Sequence, residues 1–496
     1  MAETEKTEAP RATGNRSTTP TSAAFVEYIA SGWADRPAVA PTPRDVAPYT
    51  ARRRAALSAL HPGRRLVIPA SPARVRSNDT DYAYRAHTAF AYLTGWGSDT
   101  VPGSILVFEP TASGHDVTLY FREAAGRDSD EFYANPEIGE FWVGPRPTLG
   151  DVSVELGIPT SGLRGFISEG IEDLDWSVPT LIVRDADPAL TARVDALRGE
   201  TADPASAADA SDADLARDIS ELRLVKDEWE LAELQRAVEL TKKGFDDVIA
   251  DLPEIIDHPR GERVVDGTFG RRARIEGNAV GYDTIAASGP HACILHWTRN
   301  DGPVAPGDLI LIDAGIELDS YYTADITRTL PVSGRFTEVQ RKVYQAVLDA
   351  ADAAFAIVKP GIIFREVHAE AMRVIAERTA EWGFLPVSAE ESLQPDKQYH
   401  RRYMVHGTSH HLGIDVHDCA QARRDFYIDG VVREGMVFTI EPGLYFQPDD
   451  LTVPEEFRGI GVRIEDDIVV TADGAVRLSA GIPRTVADVE AWVSSR

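Results

Sequence analysis

Hydrophobic and polar positions alternate first in Arg64-Arg65-Leu66-Val67-Ile68-Pro69, then in Ser104-Ile105-Leu106-Val107-Phe108 and Val117-Thr118-Leu119-Tyr120-Phe121. Each run is bounded by Gly, Pro or Ser, the pattern of short β-strands. Helical spacing covers Thr50 to Leu60 and Pro188 to Leu197, where Asp187 stands as N-cap before a first-turn proline. Residues 23–200 are therefore expected to form a mixed α/β domain. Before it, residues 1–22 are rich in Thr, Glu, Pro, Ser and Arg without periodicity, and are predicted to be a disordered tail because they cannot offset the entropy of ordering. After it, residues 201–218 are predicted to be a linker, since Thr201 to Asp214 holds almost only Ala, Asp, Ser and Pro. A second domain is expected over 219–496. Its first helix spans Lys226 to Ala237, with Trp229, Leu231, Leu234 and Ala237 available to a buried stripe and Asp227 or Glu228 at the positive end of the dipole. Further helices are predicted at 263–277, 336–357 and 364–383, and strands at 309–313, 321–329, 437–441 and 460–470.

At 496 residues the chain suits two or three domains with room to bury an active site. It carries 51 lysines and arginines against 79 aspartates and glutamates, a net charge of −28. Such a charge repels phosphate backbones and anionic membranes, so neither nucleic acid nor membrane is expected as a partner. Cys293 and Cys419 are the two cysteines, without CxxC spacing, which excludes a disulfide framework and fits a reducing compartment. No apolar leader and no stretch of membrane-spanning length is present, so a cytoplasmic protein is the expectation.

The chemistry lies in the second domain. Leu309-Ile310-Leu311-Ile312-Asp313-Ala314-Gly315 is an apolar strand ending in an acid and a small-residue turn, a device that delivers a carboxylate to a place of low dielectric. Asp325, in Asp325-Ile326-Thr327-Arg328-Thr329, follows after a loop short enough to fold the two acids together. His406-Gly407-Thr408-Ser409-His410-His411 and Val416-His417-Asp418 concentrate four of the twelve histidines without the HExxH pattern of a zinc-protease helix. Phe438-Thr439-Ile440-Glu441-Pro442-Gly443 repeats the strand that delivers an acid. In Gly461-Val462-Arg463-Ile464-Glu465-Asp466 the period of two puts Arg463 and Glu465 on one face. Asp313, Asp325, His410, Glu441 and Glu465 make a ligand set of four carboxylates and one imidazole. That mixture suits hard or borderline divalent ions such as manganese, not structural zinc.

These segments, with Gly459-Ile460-Gly461-Val462-Arg463-Ile464-Glu465-Asp466-Asp467, resemble the signature of aminopeptidase P, the Xaa-Pro aminopeptidase of the pita-bread metallopeptidase family. Arg76-Ser77-Asn78-Asp79-Thr80-Asp81-Tyr82 and Phe90-Ala91-Tyr92-Leu93-Thr94-Gly95 are similar to the opening of that family's N-terminal domain. The resemblance implies an α/β creatinase-like N-terminal domain and an α+β pita-bread catalytic domain, a curved antiparallel sheet flanked by helices. It implies two Mn2+ per subunit, other divalent ions being alternatives. Asp325, His410, Glu441 and Glu465 would hold one ion, and Asp313, Asp325 and Glu465 the other. It also implies a hydroxide shared between the ions as nucleophile and Glu441 as proton carrier. His296, His406 and His417 would line the substrate cleft, His417 donating to the carbonyl oxygen, and Arg463 would order the carboxylates. The partners implied are peptides with proline at the second position, and a homo-oligomer, dimer or tetramer. Prolidase, with the same chemistry on Xaa-Pro dipeptides, and a non-catalytic pita-bread peptide-binding protein are the alternatives. One departure stands out: the loop between Asp313 and Asp325 is one residue longer than the family's pattern, with Glu317-Leu318-Asp319-Ser320 in place of an aromatic residue and glycine.

Overall fold

The computed structural model describes residues 19, 20, 22–34, 40–78, 80–199 and 207–495. Most of the expected tail lies outside the described residues, and a first helix, Ala23–Ala30, is capped by Ser22. Five strands, β1 (Arg65–Pro69), β2 (Ile105–Thr111), β3 (Gly114–Phe121), β4 (Thr160–Gly162) and β5 (Thr180–Ile182), form one mixed sheet in the order β4-β3-β2-β1-β5. Strand β1 pairs antiparallel with β2 and parallel with β5, and is buried throughout, as a central strand covered on both faces must be. Helices Ala47–Leu60 and Pro188–Leu197 lie where the sequence pattern predicts them.

The expected linker is corrected over its described part. Ala207–Leu222 is a helix. Leu215 and Ile219, one turn apart, are fully buried, and the Asp212 carboxylate accepts the Ile182 backbone N–H at 2.9 Å. Low side-chain diversity is compatible with a helix because alanine is the best helix former, and two leucine-type anchors four residues apart are enough to dock it. The helix packs on β5 and on Ala47–Leu60, so by its contacts it goes with the first domain, and the short passage Arg223 to Asp227 leads into the second.

That second domain opens with the helix Glu228–Ala250, whose Asp227 and Glu230 form a reciprocal capping box. Helices Gly261–Glu276, Glu338–Ala356 and Arg365–Glu381 follow. Among the described residues its strands form four short antiparallel sheets, of which one pairs Ala279–Val280 with Ile316–Glu317 and three carry or flank the site: β6 (Ile285–Ser288), β7 (Leu309–Ala314) and β8 (Ile326–Pro331) in the order β8-β7-β6; β9 (Val437–Ile440) with β12 (Asp466–Val470) and β13 (Ala475–Arg477); and β10 (Gly443–Tyr445) with β11 (Gly461–Arg463). Two predicted strands are shorter than expected. The run 321–329 is strand only from Ile326, because Tyr321 takes a left-handed φ of 70° in a turn closed from Leu318. The run 460–470 breaks between Arg463 and Asp466, where Ile464 N–H turns to Pro442 and Glu465 N–H to Thr327.

The two domains meet on the loop between β7 and β8. Arg85 pairs with Glu317 at 2.8 Å, Ser98 donates through its backbone N–H to the Asp319 carbonyl at 2.8 Å and through its hydroxyl to the Asp319 carboxylate at 2.9 Å, and Ala86 N–H donates to the Tyr321 hydroxyl at 3.2 Å. Two of the four residues at which this loop departs from the resembled pattern, Glu317 and Asp319, are thus held by the first domain, together with Tyr321.

Candidate active site

Strands β7 and β8 pair so that Asp313 faces Thr327 and Ala314 faces Ile326, which leaves Asp325 just beyond the ladder beside Asp313. Gly315 permits the close turn: a Cβ there would lie 1.7 Å from the Ala324 carbonyl oxygen. The break between β11 and β12 brings Glu465 in from the opposite side, and the end of β9 delivers Glu441. Asp325, His410 and Glu465 each place a ligand atom within 4.8 Å of the others. His410 Nε2 lies 3.3 Å from Asp325 Oδ2 and 3.7 Å from Glu441 Oε1. Its Nδ1 lies 3.2 Å from the His411 carbonyl and donates to it, which turns Nε2 to the carboxylates. Asp313 joins the group at its edge, held by Arg463 Nη2 at 2.5 Å.

The remaining predicted residues surround this cluster. His406 Nε2 lies 2.7 Å from the Tyr445 hydroxyl, with Nδ1 3.6 Å from Glu441 Oε2. The His417 ring stands edge-on to His410 at 4.5 Å. His296 is exposed on the segment that follows β6.

Electrostatics show what the cluster lacks. Burial pushes the Glu441 carboxyl up to about 8, and drives Glu465 well above the ordinary range, with Asp325, Glu441 and Asp313 adding repulsion. Burial also raises Asp313 against the pull of Arg463. For Asp325 burial pushes upward too, but the His410 hydrogen bond overcomes it and the net shift is downward. Burial disfavours the charged His410 ring, yet Asp325 and Glu441 hold it up at about 9. Burial lowers His406 to about 3, with Arg463 nearby, and partial burial lowers His417, helped by His410 and His296. Four carboxylates thus converge on two cationic partners, Arg463 and His410. The oxygen-rich donor set and the unrelieved repulsion fit divalent cations. Both thiols are free, buried and pushed up to about 12, so they offer no competing ligand.

Several site residues escape sequence reasoning. The Tyr282 hydroxyl lies 2.7 Å from Asp313 Oδ1 and 2.5 Å from Asp325 Oδ1, joining the two acids. Tyr445 links His406 to Arg463, whose Nη1 donates to it at 3.1 Å. Thr327 Oγ1 donates to Glu465 at 2.7 Å and accepts from Arg463 Nε at 3.2 Å. Asp467 accepts the Asp325 backbone N–H at 3.1 Å. A lone Tyr or Thr gives no periodic signal. Only the run of acids through Glu465, Asp466 and Asp467 hinted at the last of these.

A small antiparallel core that gathers carboxylates and one imidazole beside a second α/β domain is suited to holding a divalent metal. The pattern of metallopeptidase family M24 matches residues 232–472, and that of the aminopeptidase P N-terminal domain matches residues 49–163. Xaa-Pro aminopeptidase 1 of Streptomyces coelicolor is 50% identical over 475 residues, 95% of this chain and 92% of that protein. Among solved structures, Pseudomonas aeruginosa aminopeptidase PepP superposes with a TM-score of 0.76 at 30% identity, covering 91% of this chain and 99% of that one. Aminopeptidase P from Escherichia coli with the inhibitor Pro-Leu gives a TM-score of 0.74 at 29% identity over the same shares. The chain belongs to the aminopeptidase P family of Xaa-Pro aminopeptidases, and is a metal-dependent peptide hydrolase.

Proposed function

We propose that this enzyme releases the N-terminal residue from peptides whose second residue is proline, with Asp325, His410, Glu441 and Glu465 holding one divalent ion and Asp313, Asp325 and Glu465 a second. The observation that carries the reading is the convergence of Asp325, His410 and Glu465 within 4.8 Å, flanked by Asp313 and Glu441. The ions, when bound, supply Lewis acidity and make water acidic enough to attack at neutral pH. The side chains do the rest. Glu441 accepts the proton from the attacking water and returns it to the departing prolyl nitrogen. His417 donates to the carbonyl oxygen as negative charge develops there. Arg463 fixes Asp313 and, through Tyr445, the His406 ring, while Tyr282 sets the spacing of Asp313 and Asp325. His296 and His406 line the cleft. Manganese as the ion, a cytoplasmic location and a dimer or tetramer complete the reading. The two free thiols support a reducing compartment, the oxygen-rich donors support manganese, and the family resemblance supports the assembly.

The test is release of the first residue from an Xaa-Pro-Yaa tripeptide with manganese, against a chelated control, an Xaa-Ala-Yaa tripeptide and an Xaa-Pro dipeptide. Metal-dependent cleavage of the proline tripeptide alone is expected. Preference for the dipeptide would make the enzyme a prolidase, and no cleavage would refute the assigned reaction.

A further inference from the structure

We propose that Glu262 is a positioning residue that sets the place of His296 in the cleft. The inference rests on the reading of His296 as a cleft residue. Glu262 stands in the first turn of the helix Gly261–Glu276 and is fully buried. One carboxylate oxygen accepts the Ser288 N–H at 2.8 Å and the His291 Nδ1–H at 2.7 Å; the other accepts the Trp297 indole N–H at 2.9 Å and the Gly302 N–H at 2.7 Å. Its own backbone N–H returns to the Gly302 carbonyl at 3.2 Å. A single side chain therefore staples both ends and two interior points of the segment 288–302. The fit is close, because a Cβ on Gly302 would lie 2.8 Å from Glu262 Oε2 and 2.7 Å from the His291 ring.

His291 stacks on Trp297 at 3.9 Å, so the two interior anchors form one rigid pair against the carboxylate. On the far side the segment is tied down at Cys293, whose carbonyl accepts from Gln447 at 2.8 Å and whose thiol donates to the Phe446 carbonyl at 3.3 Å. Between these anchors Ile294 and His296 are exposed. His296 directly precedes Trp297, so the direction of its side chain follows from where the indole is held. Burying a carboxylate is unfavourable unless its oxygens are satisfied, and here all four bonds are spent on one segment. An amide in its place would offer one accepting oxygen and turn an NH2 group toward two N–H donors, pushing the segment away.

In E262Q, kcat/KM on the Xaa-Pro-Yaa tripeptide should fall by about tenfold or more, the scale of small misplacements in a cleft. Manganese binding by calorimetry should stay unchanged, because the carboxylate cluster keeps its own strands. H296A should fall comparably, and E262Q/H296A should fall no further than the worse single variant. W297F, which removes one donor and leaves a smaller aromatic ring against His291, should sit between wild type and E262Q and serves in the same cycle if E262Q does not fold. Losses that multiply in the double variant, or a wild-type kcat/KM in E262Q and W297F, would overturn the proposal. Hydrogen exchange of the 288–302 amides, faster in E262Q or W297F, reads the staple without substrate. Unchanged exchange would overturn it too, whereas an inactive wild-type enzyme would refute the assigned reaction instead.

Discussion

Replacing Lys226 with methionine tests how the passage between the domains supports the histidine loop. The Lys226 ammonium is fully buried, donating to Asp418 Oδ2 at 2.9 Å and to the Arg223 carbonyl at 2.7 Å, and Arg223 Nε reaches Asp418 Oδ1 at 3.1 Å. Asp418 follows His417, and its backbone N–H donates to the His411 carbonyl at 2.9 Å. Burial opposes the Asp418 charge, but Lys226 and Arg223 hold its carboxyl far below the usual range. Breaking a buried pair from one side costs about 3–5 kcal/mol, and with Arg223 still in place we expect the lower end, about 3 kcal/mol. Denaturant unfolding at pH 7, followed by tryptophan fluorescence, should show it. The pH dependence follows from the directions of the shifts. Asp418 is depressed in the fold, so its contribution is complete above its unfolded value of about 3.9 and is lost as pH falls through the folded value. Lys226 is raised, so its contribution is complete below its unfolded value and is lost as pH rises through the folded one. The gap between wild type and variant should be widest near neutrality and narrow on acidification below about pH 4. A gap under about 0.5 kcal/mol at pH 7, the scatter of ordinary surface substitutions, would refute the reasoning. So would a gap unchanged between neutral and acid conditions.

Glu441→Ala should lower turnover by about a thousandfold, within the span of general acid–base contributions, while circular dichroism stays that of wild type; near-normal turnover would remove Glu441 from the mechanism. Gly315→Ala forces a Cβ against the Ala324 carbonyl; it should destabilise by about 1–3 kcal/mol, as overpacking does, and weaken manganese binding by calorimetry, and an unperturbed affinity would show that the hairpin yields without moving Asp313 or Asp325.

The elements carried by long periodic runs were legible: Pro188–Leu197 has the predicted bounds, and the acids at the ends of β7 and β9 stand where apolar strands deliver them. What failed to show was anything set by partners distant in sequence. Ala207–Leu222 has a composition that suits a linker, and becomes a helix because Leu215 and Ile219 find the first domain's core. The run 460–470 has unbroken strand propensity, yet Glu465 reaches its place because the backbone leaves Arg463 and hydrogen-bonds to Thr327. Tyr282, Tyr445 and Glu262 each act alone through long-range contacts, so no spacing announces them. Asp313 and Glu441 could be singled out because an apolar strand has no local reason to end in an acid, whereas Asp325, which opens its segment, and His410, which lies in a glycine-broken run, carry no such signal.

The loop between β7 and β8 connects Asp313 to Asp325, and Arg85, Ala86 and Ser98 of the first domain hold it. Any free energy that docking spends in fixing that loop would be free energy a bound ion need not supply, and by reciprocity a bound ion would tighten the docking. The contacts of the first domain therefore fall on the span of chain that sets the distance between Asp313 and Asp325.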